Sequence, residues 1–284
     1  MARVEIVQHK PSFLKEASIQ IAAGGSAGFV EACIMHPMDL IKTRFQLQVK
    51  MGSQDALYYT GIGDCMKKMY KNEGLAAFWK GVLPPVVMET PKRAVKALFC
   101  AGLLTGITEG ILVNPFEVVK VQMQSNRKRI SDSPSTIAVT KRIISEQGFG
   151  LKGLNKGLSA TVMRNGVFNA FYFGIYNSAV PRLHKQQEYV PELALKFALG
   201  FISGTVASCM NIPFDVAKSR IQGPQGEIQY KGTLQTIYLV YQREGFRALY
   251  KGLLPKILRL GPGGAIMLIV YDKMKAYLNL QFGD

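Results

Sequence analysis

Apolar residues gather in long runs along this chain. Residues 19–38, 94–113 and 193–214 are each about 20 residues long and mostly apolar, roughly the length a helix needs to cross the hydrocarbon core of a bilayer. Residues 162–180 and 257–270 form two further apolar stretches. A soluble helical protein can hide one such run in its core. Several runs joined by short polar links predict an all-α membrane protein, because a helix satisfies its own backbone groups in lipid. Between the runs the pattern changes. Ile62, Cys65, Met66 and Met69 fall at i, i+3, i+4 and i+7, as do Leu234, Ile237, Tyr238 and Tyr241. This spacing predicts short amphipathic helices lying at the membrane surface.

The ends of the apolar runs are not random. Pro37-Met38-Asp39-Leu40-Ile41-Lys42 reappears as Pro115-Phe116-Glu117-Val118-Val119-Lys120 and as Pro213-Phe214-Asp215-Val216-Ala217-Lys218. Nine residues after each proline stands a glutamine: Gln46, Gln124 and Gln222. Thirteen and nine residues before it stand Gly24 and Gly28, Gly102 and Gly106, Gly200 and Gly204. Downstream come Glu73-Gly74 with Lys80-Gly81, Gln147-Gly148 with Lys156-Gly157, and Glu244-Gly245 with Lys251-Gly252. Agreement at so many offsets divides the chain into three repeats, with boundaries expected at 15–100, 101–190 and 191–284. Small residues four apart let helices approach closely in lipid. Proline lacks a donor and clashes with the preceding turn, so it is expected to kink or end each span. The acid and base that follow lie three apart, on one helical face. With three repeats around an axis, the acid of one can meet the base of the next: Asp39 with Lys120, Glu117 with Lys218, Asp215 with Lys42. Such a ring would close one mouth of a central cavity and break when that mouth opens. The glycine pairs could start helices whose free N–H groups hold lipid phosphate, or simply make turns.

Charge narrows the function. The formal net charge is +16, which suits nucleic acid, anionic lipid or an anionic solute. Basic residues are spread over all three repeats and no nucleic-acid motif is present, so lipid and solute are favoured and no nucleic-acid partner is expected. Cys33, Cys65, Cys100 and Cys209 form neither a CxxC pair nor a metal-spaced cluster, so they read as small buried side chains, with no metal or other cofactor. His9, His36 and His184 are isolated, with helix-end or surface roles expected, and no nucleophile–base pair stands out; the chain does not read as an enzyme. The N-terminus carries Glu5 and Glu16 and no apolar signal core, so any targeting is expected to be internal.

Counting seven residues from each Lys-Gly glycine reaches Met88, Arg164 and Arg259. Arginine in a span costs about 2.5–3.5 kcal/mol on insertion scales, so both should face the interior or a watery cavity. A guanidinium fork binds a carboxylate bidentately, and two forks at similar depth suit a dianion. The plainer alternative is that they neutralise Glu31 and Glu109, which lie at matching offsets in two first spans.

The threefold Px[DE]xx[KR]x[RKQ]xQ pattern, with [DE]G and [KR]G downstream, resembles the mitochondrial carrier family over nearly the whole chain. The stretches "AGGSAGFVEACIMHPMDLIKTRFQLQ", "ETPKRAVK", "NPFEVVKVQMQ", "IPFDVAKSRIQGPQGEI" and "YKGLLPKILRLGPGGAIMLIVYD" are similar to the branch that handles 2-oxodicarboxylates. The resemblance implies a three-repeat bundle of six transmembrane helices in the mitochondrial inner membrane. It implies a multi-pass monomer in contact with lipid, cardiolipin included, that exchanges 2-oxoadipate, 2-oxoglutarate and related dicarboxylates by alternating access. Substrate contacts carried over from the family fall on Met88, Glu89, Arg164, Asn165 and Arg259, with Lys92, Arg93 and Lys96 as further cavity candidates. The ring becomes the family's matrix gate, braced by Gln46, Gln124 and Gln222. Tyr271, Asp272 and Lys275 match its cytoplasmic gate, whereas Tyr176-Asn177-Ser178-Ala179-Val180 matches only the aromatic position.

One spacing departs from the pattern. Pro115 to Pro213 is 98 residues, but Pro37 to Pro115 is 78; Gly81 to Pro115 is 34 against 56 from Gly157 to Pro213. About 22 residues are short, one helix's worth. The end of the second helix and the start of the third are expected to be truncated or fused. A crossing fewer would invert the two later repeats; otherwise the fused helix is bent or irregularly inserted. The readings left open are a working exchanger, a transport-defective shortened variant or other non-transporting membrane protein, and a carrier of another carboxylate such as citrate.

Overall fold

The computed structural model describes residues 13–49, 58–88, 103–183, 192–224, 230 and 232–282. These residues form helices and short turns: α1 (Phe13–Leu47), α2 (Ile62–Glu73), α3 (Leu103–Ser125), α4 (Thr136–Gln147), α5 (Leu158–Leu183), α6 (Glu192–Gln222), α7 (Thr233–Glu244) and α8 (Leu253–Phe282). A further helical segment occupies residues 83–88. α1 packs along α8, α5 along α6, and α3 against α5, so the first and last helices meet and the bundle closes on itself. Ser18–Leu47, Phe197–Gln222 and Phe246–Gln281 are long and apolar enough to cross a membrane. Their outward positions, among them Phe29, Ile34, Ile202, Met210 and Ile269, are exposed apolar side chains.

Pro37, Pro115 and Pro213 lie inside α1, α3 and α6, which continue past them; none of the three ends its helix. Continuation carries the acid, base and glutamine of each repeat on one helix beyond the proline. Each of these arms is fastened by its own small core. Leu40 and Ile41 pack with Tyr59, Cys65, Met69 and Phe78; Val118 and Val119 with Val139, Ile143 and Leu154; Val216 and Ile221 with Val240, Ala248 and Leu249. The residue three after each proline, Leu40, Val118 or Val216, thus seats its arm on the surface helix of the same repeat.

In α2, Cys65 and Met69 are buried and Met66 is exposed. In α7, Leu234, Tyr238 and Tyr241 are exposed, Ile237 packs against the core, and Thr233, Thr236 and Val240 are buried. The helix carries two apolar faces, and the aromatic one points outward, where Tyr and Trp favour the membrane interface. Ile137, Tyr70 and Trp79 continue that exposed row on the other repeats. Gly74, Gly148 and Gly245 end α2, α4 and α7, and the Gly74 N–H donates to Met69 and Tyr70 carbonyls.

The glycines of the Lys-Gly pairs interlock the repeats. Gly81, Gly157 and Gly252 have φ of 72°, 70° and 87°, a region costly for any residue with a Cβ. A Cβ there would also meet the glutamine of the following repeat: Gln124 Cγ at 3.4 Å, Gln222 Cγ at 3.3 Å and Gln46 Cγ at 3.1 Å. Glycine is demanded twice over, by backbone conformation and by the closeness of the neighbouring repeat.

Residues 89–102, where the fusion is expected, lie outside the described residues, as do His9, His184 and Gly102. Inversion of the later repeats does not occur. Lys42 on α1 lies 2.9 Å from Asp215 on α6, and Lys120 on α3 lies 2.8 Å from Asp39 on α1. Contacts this short place all three proline arms at one end of the bundle. Three mutually neutralising ion pairs and three interlocking glycines hold that end together.

Candidate functional site

The three arms converge so that each acid finds a base on another repeat. Lys120 Nζ donates to Asp39 Oδ2 at 2.8 Å, Lys42 Nζ to Asp215 Oδ2 at 2.9 Å, and Lys218 Nζ to Glu117 Oε2. Because acid and base share one face of each helix, a local pair was the competing possibility; convergence on an axis gives each charge a partner on the next helix instead. The glutamines sit on the far side of this ring. Gln46 accepts from Ser219 at 2.7 Å, Gln222 donates to Asn114 at 3.0 Å, and Gln124 makes no side-chain hydrogen bond among the described residues. Their contacts join neighbouring repeats and do not reach the ion pairs.

A cationic rim lies on the ring. Arg259 on α8 donates to Asp39 and, at 2.6 Å, to Glu31 of α1. Arg164 on α5 approaches Glu117 at 3.5 Å and Asp215 at 3.8 Å, and its Nη2 donates to Asn165 Oδ1 at 2.8 Å. Lys256 on α8 donates to Asp215 at 2.7 Å and lies over the Phe168 ring. Arg164 and Arg259 keep 25% and 33% of their side-chain surface exposed, against 3% for Asp215. Asp215 alone of the four carboxylates is nearly covered; Glu117 keeps 21% and Glu31 16%. Among the described residues Lys42, Lys120, Lys218, Arg164, Lys256 and Arg259 converge with Glu31, Asp39, Glu117 and Asp215. Partly open guanidinium groups in a site of reduced dielectric can receive carboxylates.

The other expected residues fall as follows. Met88 is buried at the start of the second helix. Glu89, Lys92, Arg93 and Lys96 lie outside the described residues, as does the side chain of Glu109. Tyr271, Asp272 and Lys275 are on α8, far along the chain from the ring, and Asp272 and Lys275 form no ion pair among the described residues. The ring end is thus tied by charge, whereas no ion pair among the described residues joins Asp272 or Lys275 to another helix.

A second layer, unread in the sequence, supports the ring from beyond it. Arg44 and Lys80 both contact Glu73 at 2.9 Å, and Arg44 reaches the Tyr59 hydroxyl. Arg220 and Lys251 contact Glu244 at 2.7 and 2.9 Å, and Arg220 donates to Tyr230 and to the Gln46 and Gln48 carbonyls. Burial pushes the Glu244 carboxyl up, but the charges and hydrogen bonds of Arg220 and Lys251 outweigh it and hold the group below its ordinary value. The middle repeat has Gln122 and Gln147 at these places. The available signal was a repeated arginine seven residues after Pro37 and Pro213, paired with the acid-Gly and Lys-Gly positions. His36 also departs from its expected helix-end or surface role. It is buried within α1, and its Nε2–H donates to the Lys80 carbonyl at 2.7 Å. Asn114 does the same for Lys156 at 3.2 Å.

Comparison with known proteins agrees with this threefold construction. The family described as mitochondrial carrier protein matches over residues 15–100, 95–187 and 190–282. The chain is 51% identical over 295 residues to the mitochondrial 2-oxodicarboxylate carrier of Bos taurus, covering 95% of this chain and 98% of the relative. It is 50% identical over 291 residues to the protein of that name from Homo sapiens, covering 94% and 97%. It is 35% identical over 300 residues to mitochondrial 2-oxodicarboxylate carrier 1 of Saccharomyces cerevisiae, covering 93% and 95%. The bovine alignment is 295 positions long yet includes about 270 of the 284 residues here, so roughly 25 positions of the relative have no counterpart in this chain. That shortfall is of the size the proline spacing requires.

Proposed function

The chain belongs to the mitochondrial carrier protein family, and from that premise we propose that it is an antiporter of the mitochondrial inner membrane. Its cargo is 2-oxodicarboxylates, 2-oxoadipate and 2-oxoglutarate among them, the class named by relatives of about half identity. The observation that carries the reading is that Arg164 and Arg259 stand on the ring from two different helices with 25% and 33% of their side-chain surface open, two guanidinium forks that suit the two carboxylates of a dianion. A trianion such as citrate brings a third carboxylate for which this pair has no fork, so citrate is the poorer cargo. Arg164, Asn165 and Arg259 contact the substrate, and Met88, Glu89 and Arg93 are the further substrate-binding residues.

In this reading the ion-pair ring is the matrix gate and Tyr271, Asp272 and Lys275 belong to the cytoplasmic gate. Gln46, Gln124 and Gln222 act on the matrix gate through inter-repeat packing. Substrate carboxylates compete with ring carboxylates for the rim cations, so binding loosens the gate it rests on. The working unit is one chain, since its three repeats already enclose the site. Lipid, cardiolipin included, contacts the exposed apolar rows of α2, α4 and α7. A transport-defective variant is the second reading, favoured by the spacing of 78 residues from Pro37 to Pro115 against 98 from Pro115 to Pro213.

The test is uptake of labelled 2-oxoadipate into liposomes holding the purified chain, with and without internal 2-oxoglutarate. Uptake that requires the internal substrate and is resisted poorly by external citrate is the expected result. Absence of exchange from correctly inserted protein would establish the defective variant.

A further inference from the structure

We infer that Phe168 carries the methylene chain of the substrate and sets the preference among cargo lengths; this rests on the reading of the protein as a dicarboxylate exchanger. A 2-oxodicarboxylate is two charged ends joined by methylenes. The ends have guanidinium groups to meet, and the methylenes need apolar surface. Phe168 stands one turn beyond Arg164 on α5, so the two share a face. The Lys256 ammonium of α8 lies 5.7 Å from the centre of the Phe168 ring. α5 and α8 both pack on α6, so this contact passes across α6. It passes on the inner side, because the same ammonium donates to Asp215 of the ring at 2.7 Å. Arg164 and Arg259 stand on these same two helices. A molecule strung from one guanidinium to the other crosses α6 beside the Phe168–Lys256 contact.

The apolar surface continues away from the ring. Phe168 stacks on Tyr172, with centroids 5.8 Å apart and planes 11° from parallel. Leu260 follows Lys256 by one turn of α8. A Cβ placed on Gly204 of α6 would lie 3.7 Å from Leu260 and 4.0 Å from Tyr172, so side chains of the two flanking helices meet in front of that glycine. Phe168, Tyr172 and Leu260 therefore make an apolar wall next to the cations Arg164, Lys256 and Arg259. Phe168 is the member beside the cations, and it is only half-buried. The forks treat the carboxylate ends of every dicarboxylate alike. The wall does not, because each methylene buried against it strengthens binding about fourfold.

The experiment uses 2-oxoglutarate, 2-oxoadipate and 2-oxopimelate, which differ by one methylene at each step. Exchange is measured in liposomes and ligand-induced thermal shift in detergent. Phe168→Ala should raise KM for all three, since Lys256 loses its support. The rise should grow with length, by roughly threefold more for each added methylene. Phe168→Leu, which keeps an apolar side chain, should hold the length dependence of the unaltered protein. Phe168→Val, a milder truncation, should show the same trend with a smaller spread, and it decides the matter if Phe168→Ala does not fold. An equal loss for the three acids, no loss, or a shift toward the longer acids would assign Phe168 to packing and overturn the inference while leaving the exchanger reading intact. If the unaltered protein neither exchanges nor is stabilised by 2-oxoglutarate, the exchanger reading fails and this inference with it.

Discussion

Asp215→Asn abolishes exchange, by at least a hundredfold, and lowers the melting temperature of the detergent-solubilised protein. Asp215 is the most covered carboxylate of the ring and has Lys42, Lys256 and Arg164 within 4 Å. Its removal leaves three like charges facing one another. Taking one partner from a buried charge cluster typically costs about 3–5 kcal/mol, which corresponds to a factor of hundreds or more in an equilibrium. The gate then loses both an inter-repeat tie and the anchor for Lys256. Exchange rate in liposomes and the thermal transition both report the loss. Asp132→Asn, at an exposed acid on the turn between α3 and α4, serves as the control and should stay within a few-fold of the unaltered rate. Near-normal exchange by Asp215→Asn would show that the ring is not the gate.

The second large effect concerns Arg259. Arg259→Met strands Glu31 and leaves Asp39 with Lys120 alone, so exchange should fall at least a hundredfold and the transition temperature should drop. The double change Glu31→Gln with Arg259→Met removes the stranded charge. Thermal stability should return toward that of the unaltered protein, whereas exchange should remain at least tenfold down because the substrate has lost a donor. Full recovery of exchange in the double variant would show that Arg259 serves only to neutralise Glu31.

Features written three times were legible in the sequence. The ion pairs Asp39–Lys120, Glu117–Lys218 and Asp215–Lys42 followed from two facts: acid and base share a helical face, and three copies can close a ring. Lys256 was hidden because its counterparts are Pro85 and Thr161; a residue present in one repeat disappears when only threefold agreement is sought. His36 was hidden in the same way, since its counterparts are Asn114 and Ile212. Spacing revealed the missing length but not the topology. Parity of crossings suggested inversion as one outcome, whereas the ring's charges can be satisfied only if the three arms lie together. That requirement overrides the short spacing between Pro37 and Pro115.

The decisive measurement is therefore one of sidedness. Single cysteines at Lys71, Lys141 and Arg243, exposed positions on α2, α4 and α7, would be labelled with an impermeant maleimide in oriented membrane vesicles of a cysteine-free background. The account requires all three to react from the same face, with the ion-pair ring just inside it. Labelling of the α4 and α7 positions from the face opposite to α2 would mean inverted repeats. No ring could then close, and the dianion site built on it would not exist.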